Sequence, residues 1–357
     1  AFGDSAEINY AKGCHTYKFL PGISSDLFKE NDGFKVEFYN GQDFEGSPIE
    51  TKILKGNKFW AMGGFGLDIV AQSERPSLSV RFSGELQPEH SGEYNFEIFS
   101  IGPSKLSING ENLIDNWSSQ EPGDAFFGMG SAPKREKIKF EKGKTYSLEV
   151  EYKWEGRFPA VQIGMQPPDQ FNLMEEAINL AKEADAVVLI VGTNSDWETE
   201  GNDRANLDLP SNQNELIETI CKLNKNTVVV LNTGSPCEMP WIDNANAILQ
   251  CWFPGQEFGN SLADILIGKV NPSGKLPTTF PKKLSDTPAY STYPGKDLQM
   301  DYEEGLFIGY RWYDRESIEP LFPFGHGLSY TSFEYSNLRA IPPKGDSSVA
   351  AFEVDIT

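Results

Sequence analysis

The sequence predicts an α/β fold with a mostly parallel sheet, interrupted by an all-β antiparallel sandwich. Three observations predict it. Residues 33 to 166 run in short alternating stretches separated by turn signals, with no helical period between them. From about residue 170 the pattern changes to amphipathic helical spacing, alternating with continuous apolar strands. The opening residues share the second texture, so the first region reads as an insertion.

Along the chain, AEINYAKGC reads as a strand followed by a turn. FKVEFYN, LSVRFSGEL, GEYNFEIFS, KLSINGENL and YSLEVEYKW follow, punctuated by HSG, NGEN and EKGK. Strands at that spacing predict an antiparallel sandwich. NLMEEAINLAKEADA then places Leu173, Ala177, Ile178, Ala181 and Ala184 at helical spacing and runs straight into the apolar strand AVVLIVG. SNQNELIETICKL is the next helix, with Ser211 as N-cap and Leu216, Ile220 and Leu223 on one face. NTVVVLNTG and NAILQCWF are further strands, and GNSLADILIG is a helix with a glycine stop. Apolar strands alternating with such helices imply a parallel sheet covered on both faces. The expected domains are 1–30 and 168–335 for the α/β part, 31–167 for the insertion and 336–357 for the start of a further β module.

Composition sets bounds. Hydrophobic residues make up 39% and aromatics 12% of 357 residues, enough for packed cores in two or three domains. Fifty-two acidic against 31 basic residues give a net charge of −21, which argues against nucleic acid or an anionic membrane surface as partner. No apolar run reaches the about 18 residues of a membrane span. Cys14, Cys221, Cys237 and Cys251 show no paired spacing, and three of them sit in apolar helix or strand patterns that read as buried thiols. His15, His90 and His326 are far apart, leaving thin material for a histidine metal site, and no cofactor is expected. Asn116-Trp117-Ser118 is a glycosylation sequon. The chain opens without an initiator Met and closes on the strand-like AAFEVDIT, so both ends read as open.

The chemistry gathers in DWETEGNDR, residues 196 to 204, just beyond the carboxyl end of AVVLIVG, where parallel sheets bind ligands. Asp196, Glu198, Glu200 and Asp203 share the loop with one cation, Arg204. A solvated acidic surface is one reading. Calcium is a second, since Asp196, Glu198, Glu200 and Gly201 fit the start of a calcium loop. The position that needs a bidentate Glu, however, is Leu207, and a strand precedes the loop where a helix belongs. A general acid is the third: neighbouring carboxylates and an apolar wall such as Trp197 favour a protonated carboxyl, suited to protonating a glycosidic oxygen.

Five stretches resemble one family. WETEGNDRANLDLP (197 to 210), NTVVVLNTGSPCEMPW (226 to 241), WFPGQEFGNSLADILIGKVNPSGKLPTTFP (252 to 281), YEEGLFIGYRWYD (302 to 314) and LFPFGHGLSYTSFEY (321 to 335) are similar, in order, to the C-terminal domain of glycoside hydrolase family 3 β-glucosidases and β-xylosidases. GFKVEFYN, RFSGELQPEHSGEYNFEIFS and KLSINGENLIDNW resemble a protective-antigen (PA-14) domain, and the segment after Phe333 resembles the start of a fibronectin-III-like domain. The resemblance implies a retaining exo-glycosidase acting on β-glucosides or oligosaccharides. Its acid/base lies in a loop reading EG-x-DR, which maps onto Glu200, with Asp203 and Arg204 completing the motif and Glu198 as the second candidate. It also implies an aspartate nucleophile on an N-terminal TIM barrel. This chain carries no such barrel, so the chain alone is expected to be inactive. A β-xylosidase, or a carbohydrate-binding or adhesion module without chemistry, are the alternatives.

The remaining motifs weigh towards structure. GYRWYD with Arg311 and LFPFGHG with His326 read as aromatic packing around turns, and NPSGK as a turn. Trp197 is a candidate for stacking on a sugar ring at the leaving-group side, and Trp60 and Trp117 could reach the site from the insertion. SIGPSKLSING lacks the paired aspartates of calcium-dependent sugar binders, so the insertion is expected instead to shape the leaving-group side of the pocket.

Overall fold

The computed structural model describes residues 6–29, 33–55, 58–60, 77–155, 158–169, 172–341 and 351–357. The chain divides into two compact units, one comprising Tyr10–Gly234 with Pro240–Gln250, the other Ala1–Asn9, Ser235–Met239 and Cys251–Thr357.

The first unit opens with an antiparallel two-sheet structure. Its strands are β1 (Phe34–Asn40), β2 (Glu50–Leu54), β3 (Lys58–Trp60), β4 (Ser77–Leu86), β5 (Gly92–Ile101), β6 (Ser104–Ile108), β7 (Glu111–Asn116), β8 (Lys134–Phe140), β9 (Tyr146–Glu155) and β10 (Ala160–Gln166). A six-stranded sheet in the order β2-β1-β4-β9-β6-β7 faces a four-stranded sheet in the order β3-β10-β5-β8. Every pairing in both sheets is antiparallel. Alternation explains the packing, because residues at period two share one face. Val36, Phe38, Val80, Phe82, Val150 and Tyr152 from the larger sheet meet Phe96, Ile98, Phe140 and Ile163 from the smaller in one core. The stretch KLSINGENL forms a hairpin, β6 and β7, about Asn109-Gly110, both at positive φ. The entry segment before β1 and the segment after β10 lie together: Gly22 bridges Gly164, Met165 N donates to Pro21 O (2.8 Å), and His15 Nε2 lies 2.8 Å from Asp169 Oδ1.

The parallel part of this unit comprises β11 (Val187–Gly192), β12 (Thr227–Asn232) and β13 (Ala247–Gln250), with helices α1 (Leu173–Glu183) and α2 (Gln213–Leu223). Strand order is β11-β12-β13, all parallel. Val229, Val230 and Leu231 are fully buried, as expected of a strand covered on both faces.

Five local expectations fail. AEINYAKGC forms no strand; Ile8 and Tyr10 are 79% and 82% exposed, because no described strand offers a partner ladder. β11 leaves Val188 and Ile190 exposed, so the sheet is not covered on both faces there. Ser211 is not the N-cap of α2: it lies at φ 60°, and Asn212 takes the cap position. Leu216 and Ile220 are buried on α2, but Leu223 sits exposed in its last turn. NAILQCWF shortens to four strand residues, since Trp252 turns to φ 56°.

The second unit contains α3 (Phe258–Leu266), α4 (Tyr310–Glu316), and the antiparallel pair β14 (Tyr335–Ile341) and β15 (Ala351–Ile356). The glycine stop after α3 forms as expected, with Gly268 at φ 75°. GYRWYD becomes α4, whose Tyr313 is buried and whose Trp312 indole donates to Asp286 O (3.1 Å), while Arg311 points to solvent. His326 stacks 4.9 Å from Phe322. No described helix is long and apolar enough to cross a membrane.

Candidate active site

β11 ends at Gly192, and the acidic loop leaves from its carboxyl edge. Gln213, nearly fully buried at the start of α2, pins the two ends of that loop together. Its side-chain N–H groups donate to Gly192 O (2.9 Å) and Pro210 O (2.9 Å), and its Oε1 accepts from Gly192 N (2.7 Å). Residues between those ends are therefore a closed loop on a rigid sheet edge, which is how functional loops are positioned.

Inside the loop the carboxylates have different tasks. Asn194 Oδ1 accepts from Asp196 N, and Asn194 O accepts from both Trp197 N and Glu198 N, forming a tight first turn. Glu198 turns inward: its Oε1 accepts from Thr193 Oγ1 (2.5 Å) and Gly234 N (3.1 Å) and lies 3.8 Å from Arg204 Nη1. It ties the loop to the carboxyl ends of β11 and β12. Arg204, itself mostly buried, also donates to Asp208 O (2.7 Å).

Glu200 is placed differently. Thr199 and Asn202 bridge, so Glu200 and Gly201 are the central pair of a tight turn, with Gly201 at φ 74°. Glu200 is exposed, and among the described residues it has no hydrogen-bond or ion-pair partner. The turn thus presents one carboxylate outward while holding its neighbour inward.

The β1–β10 structure reaches this turn. Asp124 Oδ2 accepts from Asn202 Nδ2 (3.1 Å) and pairs with Lys18 Nζ (2.6 Å). Next to it Phe126 and Phe127 both adopt left-handed backbone (φ 53° and 60°), and Phe127 lies against Gly201. Phe126 is buried, 5.3 Å from Phe99. Trp197, half-buried, donates its indole N–H to Thr16 O (2.8 Å), with Lys18 Nζ 5.8 Å from its ring. Trp117 packs at the carboxyl end of β7 with Phe44, Lys105 and Lys153, and the Trp60 side chain lies outside the described residues.

Behind the entry segment stands a buried charge. Glu97 on β5 is 0% exposed, accepts from Leu20 N (2.7 Å) and pairs with Arg135 Nε (2.6 Å). Burial pushes its carboxyl above the ordinary value; Arg135 and the Leu20 N–H oppose this, and Asp196 adds to it. The Cys14, Cys221 and Cys251 thiols are pushed up by burial, the environment of inert cysteines. Asn116 of the sequon is fully buried, its Nδ2 facing Ser100, Ser104 and Ser131 Oγ, so the sequon reading fails on burial.

Sequence reasoning found the loop and its four carboxylates. It missed Gln213, Asp124 and the inward role of Glu198. Gln213 opens a recognisable helix, but nothing in its spacing announces that it closes the loop.

The chain belongs to glycosyl hydrolase family 3, whose C-terminal domain matches residues 72–330. It is 37% identical to a β-glucosidase of Rhizobium radiobacter over its full length, covering 44% of that protein. It is 36% identical to β-glucosidase B of Emericella nidulans, covering 99% of this chain and 44% of that protein. The crystal structure of a Kluyveromyces marxianus β-glucosidase in complex with glucose is similar with a TM-score of 0.82 and 30% identity, covering 98% of this chain and 48% of that one. The chain spans under half the length of these relatives.

Proposed function

We propose that this chain is the acid/base-bearing half of a retaining, exo-acting β-glucosidase, with Glu200 as the general acid/base. The observation that carries it is the division of labour in the loop. Glu198 is engaged by Thr193, Gly234 and Arg204, whereas Glu200 stands at the tip of a turn, exposed. A residue that must give a proton to a leaving group and take one from water has to be free to reach both. Retention needs a second carboxylate about 5–5.5 Å away. In this reading it is an aspartate on a barrel domain outside this chain, so the 357-residue chain binds no substrate productively by itself.

The rest of the chain serves that site. The β1–β10 structure is a protective-antigen-type insertion whose Asp124–Gly128 turn shapes the leaving-group side, with Trp197 flanking the same side. The β14–β15 pair opens a fibronectin-III-like module. The substrate is a terminal β-glucoside or an oligosaccharide ending in one.

The test is a leaving-group comparison in the full-length enzyme. Glu200→Ala should lose most turnover of glucosides with poor leaving groups while largely keeping the glucosyl-transfer step with activated aryl groups, because only the former need protonation. Glu198→Ala should lower both together. The opposite pattern would transfer the role to Glu198, and equal loss in both variants would remove the acid/base reading.

A further inference from the structure

The carboxylate of Asp124 sits on the insertion, yet its partners are on the acidic loop and on the entry segment. We propose that Asp124 is a positioning residue for the proton-donating turn, so that the insertion sets the aim of Glu200. This rests on Glu200 being the acid/base.

The contacts form a continuous chain. Arg135 Nη2 donates to Lys18 O (2.8 Å) and Glu97 Oε1 accepts from Leu20 N, which fixes the backbone on either side of Phe19 to strands β5 and β8. From that fixed backbone the Lys18 ammonium reaches Asp124 Oδ2, and the same oxygen receives the Asn202 amide. Asn202 is the residue that bridges Thr199 and closes the turn over Glu200 and Gly201. Asp124 therefore holds the closing residue of the turn from outside the loop. Two charge-related contacts on one carboxylate oxygen are stronger than neutral ones.

The backbone around Asp124 supports the same role. Two consecutive phenylalanines in the left-handed region are strained and persist only where the surroundings over-determine them. Here Phe126 is buried beside Phe99, and Phe127 lies against Gly201, the residue after Glu200. The turn is held rigid, and its rigid end rests on the acid/base turn. Asp124 touches no reacting atom in this account; it acts through Asn202.

A misplacement of about 1 Å at a catalytic group can cost roughly 100-fold. Asp124→Ala in the full-length enzyme should therefore lower kcat/KM for a poor-leaving-group glucoside by about 10- to 100-fold. It should spare an activated aryl glucoside, shifting the ratio of the two in the direction that Glu200→Ala shifts it. Asn202→Ala should reproduce the shift, and the double variant should add nothing to it. Asp124→Asn, which keeps the shape and an acceptor oxygen, should restore most of the ratio. If Asp124→Ala does not fold, Asp124→Asn and Asn202→Ala are read alone: a shifted ratio in Asn202→Ala supports the proposal and an unchanged one overturns it. Equal loss on both substrates would mean a merely structural contact and would overturn it too. Glu200→Ala run alongside separates the two claims. Without a leaving-group signature there, the acid/base reading itself fails; with the signature there and none in Asp124→Ala, only the positioning role fails.

Discussion

Replacing Gly201 by alanine tests how tightly the Asp124–Gly128 turn and the turn over Glu200 and Gly201 are packed. Two costs combine. Gly201 has φ 74°, a conformation that costs an alanine about 1–2 kcal/mol. In addition, a Cβ there would stand 3.0 Å from Phe127 Cβ and 3.2 Å from Phe127 O, so a neighbour already in left-handed backbone must move. Overpacking of this kind typically adds about 1–3 kcal/mol. Gly110 provides the control, because it has φ 81° and nothing within 4 Å of an added Cβ. Gly110→Ala should therefore cost about 1–2 kcal/mol, and Gly201→Ala about 1 kcal/mol or more beyond that. The assay is urea unfolding of the two variants and the parent, compared at equal slope. Equal losses in the two variants would mean that Phe127 does not press on Gly201, and the packing argument would be wrong.

Other outcomes follow from the same contacts. Arg135→Met leaves Glu97 buried without its cation; breaking a buried pair costs about 3–5 kcal/mol, and the half-exposed arginine should bring this to about 2–3 kcal/mol, measured by denaturant unfolding. The Glu97 carboxyl is raised by burial, so its share of stability is fully present below the ordinary value of 4.5 and is lost as pH rises through the raised value. The stability gap between wild type and Glu97→Gln should move in wild type's disfavour across that window and stay flat above it; a flat gap throughout would refute the burial argument. Asn116 should carry no glycan when the chain passes through a glycosylating host, as intact-mass analysis would show, and a glycan there on folded protein would contradict its burial. The isolated 357-residue chain should not hydrolyse aryl β-glucosides; steady turnover would place the whole catalytic pair within it.

Much of the fold was legible because its signals are local. Alternation in FKVEFYN and GEYNFEIFS gave β1 and β5, and the switch to helical period gave α1 before β11. AEINYAKGC carries a similar local pattern and forms no strand, because a ladder needs a neighbour that local pattern does not supply. Ser211 looked like an N-cap, but its left-handed backbone passes the cap to Asn212. In the site, spacing alone named no proton donor, and the family resemblance put Glu200 ahead of Glu198. The tertiary contacts separate them independently of that motif: Thr193 and Gly234 bind Glu198, while Glu200 stands at a turn tip. The contact of Asp124 with Asn202 spans 78 residues and two textures of sequence, so no local period could announce it.

Glu200 is proposed as the group that donates and accepts the proton. Azide rescue of Glu200→Ala in the full-length enzyme tests it most directly. Azide needs no general base, so added azide should restore turnover of an activated aryl glucoside and yield β-glucosyl azide. Rescue of Glu198→Ala instead, with Glu200→Ala unmoved by azide, would contradict the account.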